Sequence, residues 1–153
     1  MAESAIDAAA MLRGANLRVT QPRVAVLNLL ADTPHIDTDS ITTRARQSVS
    51  LSKQAVYNLL RTLTEAGLIR KIEPAGSLPH YELQTGDNHQ HLVCRECGAM
   101  ADVMLVADDE PKAIPSTTHG YTVNETEIFY WGRCPACRDT SSETSSAPSG
   151  SPS

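Results

Sequence analysis

With 153 residues, 41 % of them apolar and only 4 % aromatic, the chain can form one ordinary domain or two small ones with Val/Leu/Ile/Ala cores. No run approaches the ~20 apolar residues of a membrane span. The acid-bearing start MAESAIDAAAMLRGA lacks the basic region of a secretory signal, so a cytoplasmic protein is expected. The net charge of −5 argues against a nucleic-acid partner until its distribution is read: residues 1–85 hold nine Lys/Arg against eight Asp/Glu, and residues 86–153 hold four against ten. That asymmetry points to two domains with different work.

In chain order, residues 5–15 read as a short helix ended by Gly14 and Asn16. Thr20 is an N-cap candidate with Pro22 in the first turn. Residues 22–31 then place Val24, Leu27, Leu30 and Ala31 on one face of a second helix. Asp37 or Thr38 can cap a third helix with Ile41, Ala45 and Val49 on its apolar side. Ser50 or Ser52 opens a fourth, where Val56, Leu59, Leu60 and Leu63 form the buried face and Gln54, Tyr57, Asn58 and Arg61 the exposed one. Gly67 ends it. LIRKIE, the breaker run PAGSLP and HYEL read as a β-hairpin. Three helices followed by a hairpin is the order of a winged helix, whose last helix reads a major groove.

Residues 85–90 form a hinge. Strands are expected at 91–94, 100–106 and 126–131, and the acidic stretch 108–119, with Pro111 and Pro115, holds only a short or broken helix. From residue 139 the composition DTSSETSSAPSGSPS cannot build a core, so a disordered tail is expected. The expected layout is a winged helix-turn-helix at 1–84, a hinge at 85–90, a second α/β domain at 91–138 and a tail at 139–153.

The strongest chemical signal is the double Cys-x-x-Cys: Cys94 and Cys97, then Cys134 and Cys137, with no cysteine left over. In a reducing compartment such pairs chelate one tetrahedral ion, zinc being the natural occupant of four sulfurs, and a site closed by four protein ligands is structural. The 36 residues between the pairs mean that the site staples the start of the second domain to its last strand. A second set is softer. His89 and His91 alternate along an extended strand and share a face, whereas His35, Glu82 and Asp102 taken singly read equally well as a loop residue and two solvated acids. Three imidazoles and two carboxylates, if gathered, suit Fe(II), Mn(II), Co, Ni or Zn. His80 and His119 read as non-ligands. Candidate DNA contacts are Lys53, Gln54, Tyr57, Asn58 and Arg61 on the fourth helix, Arg18 and Arg23 beside the second, and Arg70 and Lys71 on the wing. A merely solvated helix face is the bland alternative for this set. There is no Ser/His/Asp order, no pair of catalytic carboxylates and no phosphate-cradling glycine loop, so no enzyme is expected.

The succession LRVTQPR, PH, SKQAVYNLLRTLTEAGLIRKIE, HYEL, NHQHLVCRECG and YWGRCPAC resembles the ferric uptake regulator (Fur) family of metal- and peroxide-responsive repressors, over residues 12 to 138. RVTQPRVAVL, QAVYNLL and GDNHQHLVCRECG look most like its actinobacterial FurA/CatR-type members, which stand beside catalase-peroxidase genes. The resemblance implies a homodimer on a palindromic double-stranded operator and a C-terminal α/β dimerisation domain. It also implies structural Zn²⁺ at the four cysteines and a regulatory Fe²⁺ or Mn²⁺ (Zn²⁺ or Ni²⁺ being alternatives) at His35, Glu82, His89, His91 and Asp102. Tyr57 falls on the family's recognition-helix tyrosine. Where many members have Thr-Val-Tyr-Arg, this chain has Ala55-Val56-Tyr57-Asn58. Asn88 and Gln90 replace ligands of a third metal site in some members, so none is expected here. Asp102, in place of the glutamate of iron sensors, favours peroxide sensing and control of oxidative-stress genes. The rivals are iron, zinc or nickel homeostasis on the same fold, a thiol redox switch, and a zinc-stapled module that only dimerises.

Overall fold

Side-chain caps set where the helices of the first part begin. In the computed structural model, which describes residues 6–86, 89–104 and 115–144, Asp7, Thr20, Asp37 and Ser52 each accept the backbone N–H three residues ahead. They open α1 (Ala8–Gly14), α2 (Gln21–Asp32), α3 (Thr38–Ala45) and α4 (Lys53–Glu65). The end of α4 is a Schellman turn: Gly67 takes φ +75°, and the Leu68 N–H donates to the Leu63 carbonyl at 3.0 Å.

The chain divides into two compact units, Met1–Gly86 and Asp87–Ser153. In the first, β1 (Ile36–Asp37), β2 (Ile69–Ile72) and β3 (His80–Leu83) form an antiparallel sheet in the order β1-β3-β2. Its core joins Leu12 of α1, Val26 and Leu30 of α2, Ile41 of α3, and Leu60 and Leu63 of α4. Each such side chain contributes about 1.5–3 kcal/mol by leaving water. The buried face of α2 differs from the expected one: Val26, Leu27 and Leu30 are buried while Val24 and Ala31 are half-exposed. Strand β3 and helices α1 and α3 all pack on α2, and that demand rotates it away from the simple periodic stripe. Helix, helix, helix and hairpin make this unit a winged helix, with α1 added in front and the two-residue β1 completing the sheet.

The second unit has β4 (His89–Cys94) at the centre of a sheet ordered β5-β4-β6. β5 (Met100–Met104) runs antiparallel and β6 (Phe129–Gly132) parallel to it. Helix α5 (Pro135–Thr144) follows. It runs past residue 139, where a disordered tail is expected from composition. Proline in the first turn is already shaped for a helix, and the Arg138 N–H bonds the Cys134 carbonyl at 2.9 Å, so a Ser/Thr-rich sequence is carried on from a formed turn. The rest of the tail lies outside the described residues, as does most of the acidic stretch. Within 115–128 no helix or strand forms. Among the described residues, no helix is long and apolar enough to cross a membrane.

Candidate metal centres and nucleic-acid interface

Strand β4 delivers Cys94 at its end, and the chain turns immediately. The Gly98 N–H bonds the Cys94 carbonyl at 3.0 Å, and the Cys94 N–H bonds the Ala99 carbonyl at 2.9 Å. Gly98 makes this turn with φ +76°, a backbone geometry that side chains resist. Cys134 lies just beyond β6, and Cys137 in the first turn of α5. The four sulfurs lie within 4.8 Å of one another. None of the four is in a disulfide, and the Cys97–Cys134 separation of 3.6 Å is far above the ~2.05 Å of an S–S bond. It matches the edge of about 3.8 Å expected for a tetrahedron of Zn–S bonds near 2.3 Å.

The backbone N–H groups of Cys97 and Cys134 bring the Cys94 thiol down to about 6, whereas crowding by the Cys134 and Cys97 thiols drives Cys137 upward. Four thiolates so close need a cation, and zinc with four sulfurs supplies it. The strand-to-knuckle junction is braced as well. The Arg95 N–H bonds the Gly132 carbonyl at 2.8 Å, the Arg95 guanidinium lies 5.0 Å over the Trp131 ring, and Arg133 pairs with Glu96 at 2.8 Å.

The softer ligand set occurs as two groups, one in each unit. In the winged helix, His35 Nε2 lies 3.1 Å from Glu82 Oε2, and Glu82 is buried. His35 takes φ +58°, in the left-handed region, where a non-glycine residue costs on the order of 1–3 kcal/mol. The bend turns the chain from α2 into β1 and places the imidazole beside β3. Arg70, directly opposite Glu82 in the β2–β3 register, approaches its other oxygen at 4.0 Å and is mostly covered. In the second unit, His89 and His91 are both buried on one face of β4, their rings edge-to-face at 4.9 Å. Asp102 stands opposite His91 on β5, its Oδ1 3.7 Å from His89 Nε2 and 3.6 Å from His91 Nε2. These spacings are long for hydrogen bonds but suit ligands around one ion with bonds of about 2.1 Å. The mixed N/O donors fit Fe²⁺, Mn²⁺ or Zn²⁺.

The remaining histidines stand apart. His80 Nδ1 bonds the Leu78 carbonyl at 2.7 Å, and His119 is exposed with φ +48°. Gln90, between the candidate ligand histidines, accepts the Ile128 N–H at its Oε1 at 3.1 Å and so fastens the entry to β6. Asn88 lies outside the described residues.

On α4, Gln54, Tyr57, Asn58 and Arg61 are exposed, and Tyr57 keeps 43 % of its surface in solvent. With Lys71 and Tyr81 they line a concavity of about 340 Å³. Gln54 Nε2 donates to Asn58 Oδ1 at 3.1 Å, which presents the two amides as one unit. Lys53 is exposed, 3.7 Å from Asp39, and Lys71 lies 3.3 Å from Glu73. Arg18 is exposed, and its carbonyl accepts Arg23 Nη1 at 2.7 Å. Arg70 instead points at Glu82. Sequence reading missed Arg46, whose Nε bonds the Leu51 carbonyl at 2.9 Å and braces the turn between α3 and α4. A cation in a helix-turn-helix turn was the available signal.

A winged helix joined to a second unit with a four-sulfur zinc centre and a mixed N/O ligand set defines a metal-responsive DNA-binding regulator. Residues 14–130 match the model of the ferric uptake regulator family. The chain is 48 % identical over 132 residues to the transcriptional regulator FurA of Mycobacterium tuberculosis, covering 86 % of this chain and 90 % of that one. It is 26 % identical over 135 residues to the peroxide-responsive repressor PerR of Staphylococcus saprophyticus, covering 87 % and 90 %. Among solved structures, the Helicobacter pylori ferric uptake regulator Fur, described with three functional metal binding sites, superposes with a TM-score of 0.70 at 18 % identity, covering 89 % of this chain and 97 % of that one. The Campylobacter jejuni peroxide stress regulator gives 0.61 at 26 %, covering 86 % and 100 %. A zinc uptake regulator complexed with zinc and DNA gives 0.65 at 21 %, covering 87 % and 91 %. The chain belongs to the ferric uptake regulator family and is a metal-responsive transcriptional regulator of that family.

Proposed function

We propose that this protein is a repressor that binds a palindromic operator as a homodimer in the cytoplasm when a regulatory Fe²⁺ or Mn²⁺ is held, and that it senses peroxide at that ion to control oxidative-stress genes. The observation that carries the reading is the division of the ligands: His35 and Glu82 belong to the winged helix, and His89, His91 and Asp102 to the second unit. Ligands from both units complete one coordination shell only in one relative arrangement of the units, so ligand binding selects that arrangement. In a two-fold dimer the arrangement sets the spacing of the two α4 helices and therefore the match to operator half-sites.

Lys53, Gln54, Tyr57, Asn58 and Arg61, with Arg18, Arg23 and Lys71, supply the contacts. The arginines and lysines neutralise phosphates, and the Gln54–Asn58 amides address base edges. Iron(II), when bound, supplies one-electron reduction of peroxide. With peroxide as the two-electron oxidant, transfer of one of its oxygen atoms to the imidazole of His35, His89 or His91 and release of the other as water would remove a donor and loosen the closed arrangement. Relatives named for both ferric uptake and peroxide response support the class of signal. Asp102, a short carboxylate, supports the peroxide branch.

Footprinting on the DNA upstream of the chain's own reading frame, with Fe(II), Mn(II) and Zn(II) and with or without peroxide, tests the reading. The expected result is protection with Fe(II) and Mn(II), lost on peroxide only in the Fe(II) sample. Protection with Zn(II) alone, indifferent to peroxide, would assign the protein to metal homeostasis.

A further inference from the structure

Glu82 has two claimants within the winged helix itself. Its Oε2 faces His35 Nε2 at 3.1 Å, and its Oε1 faces Arg70 Nη1 at 4.0 Å. The Glu82 side chain is 4 % exposed and that of Arg70 16 %, so the attraction between them is screened far less than on an open surface. The register Arg70↔Glu82 places the two side chains directly across from each other on β2 and β3. The next residue, Lys71, is exposed on the opposite side of the strand, beside the concavity under Tyr57 and Arg61. The guanidinium sits on a long flexible stem at the margin of the sheet. A short rotation about its side-chain bonds takes it from the carboxylate into solvent.

A divalent cation taken up by His35 and Glu82 would place two positive charges within several ångströms of that guanidinium and occupy the carboxylate that holds it. Like charges in a covered site repel strongly. We propose that Arg70 is the resident counterion of Glu82, and that uptake of a divalent cation by His35 and Glu82 displaces its guanidinium from the carboxylate into solvent. Arg70 thereby lowers the affinity of the metal site and makes its own exposure report the occupancy of that site. The inference rests on the assignment of Glu82 as a ligand of the regulatory ion.

The test uses the full-length chain with zinc at its cysteines, titrated with Mn(II). Phenylglyoxal modification of each arginine is followed by peptide mass spectrometry, with the exposed Arg13 as internal reference. The expected result is several-fold faster modification of Arg70 at saturating Mn(II), with Arg13 unchanged. In the same protein Arg70→Met raises Mn(II) affinity about tenfold, the scale on which a neighbouring cation shifts a charged group, and Arg70→Lys returns it toward wild type. If Glu82→Gln weakens Mn(II) binding but Arg70 modification is indifferent to Mn(II), the displacement is wrong while the ligand assignment stands. If Glu82→Gln binds Mn(II) like wild type, both fall.

Discussion

Asp37 caps α3 twice over, with Oδ1 accepting the Ser40 N–H and Oδ2 the Ser40 hydroxyl, each at 2.8 Å. Burial pushes its carboxyl upward, but the Ser40 bonds and the nearby His80 outweigh this and hold it below the ordinary value. A lowered folded-state pKa stabilises the native state above the unfolded value and ceases to do so as the pH falls through the folded one. Asp37→Ala therefore costs about 1 kcal/mol in urea denaturation at pH 7, and the difference from wild type shrinks in acid; an undiminished difference at pH 2–3 would contradict the role of charge. At this scale the cysteine quartet was legible from spacing alone, because two Cys-x-x-Cys pairs admit few other uses. The direction of Arg70 was not. Composition places a cation on a wing, but only the cross-strand register reveals that Glu82 stands opposite it.

Helix α4 serves two masters on opposite faces, and the sequence shows both because 3.6-residue periodicity separates them cleanly. Val56, Leu59, Leu60 and Leu63 are buried, while Gln54, Tyr57, Asn58 and Arg61 face solvent. Substitutions on the two faces therefore separate stability from binding. Leu63→Ala costs about 2–5 kcal/mol by leaving a cavity. Tyr57→Ala leaves the melting temperature close to wild type but weakens operator binding in a gel-shift titration; equal losses of stability and binding would deny Tyr57 a contact role. Elements shaped by several partners were harder to read. Helix α2 turns a different face inward because α1, α3 and β3 all pack on it, and α5 outruns its composition because its first turn is built on the Cys134 knuckle.

At the level of the molecule, two centres share β4: Cys94 joins the zinc knuckle, and His89 and His91 stand in the mixed ligand set. Metal content should therefore separate into a permanent and a removable part. Cys134→Ser lowers bound zinc and unfolds the second unit, read by elemental analysis and circular dichroism, whereas His91→Ala keeps the zinc; loss of zinc in His91→Ala would contradict the division. Charge asymmetry and a polar hinge at 85–90 lead to the expectation of two domains; the chain divides after Gly86, and His89 and Gln90, expected in the hinge, already belong to β4, where their strand pairing claims them. The proposal that histidines and carboxylates of both units act together came from resemblance, since single histidines and acids carry little signal of their own. The central claim is that ligation across the two units governs DNA binding. Its most direct test is fluorescence anisotropy of the chain's own upstream DNA with wild type and His91→Ala, each titrated with Mn(II) after removal of weakly bound metal. The account predicts tight Mn(II)-dependent binding by wild type and weak, Mn(II)-independent binding by His91→Ala. Tight binding by both proteins without Mn(II) would contradict it.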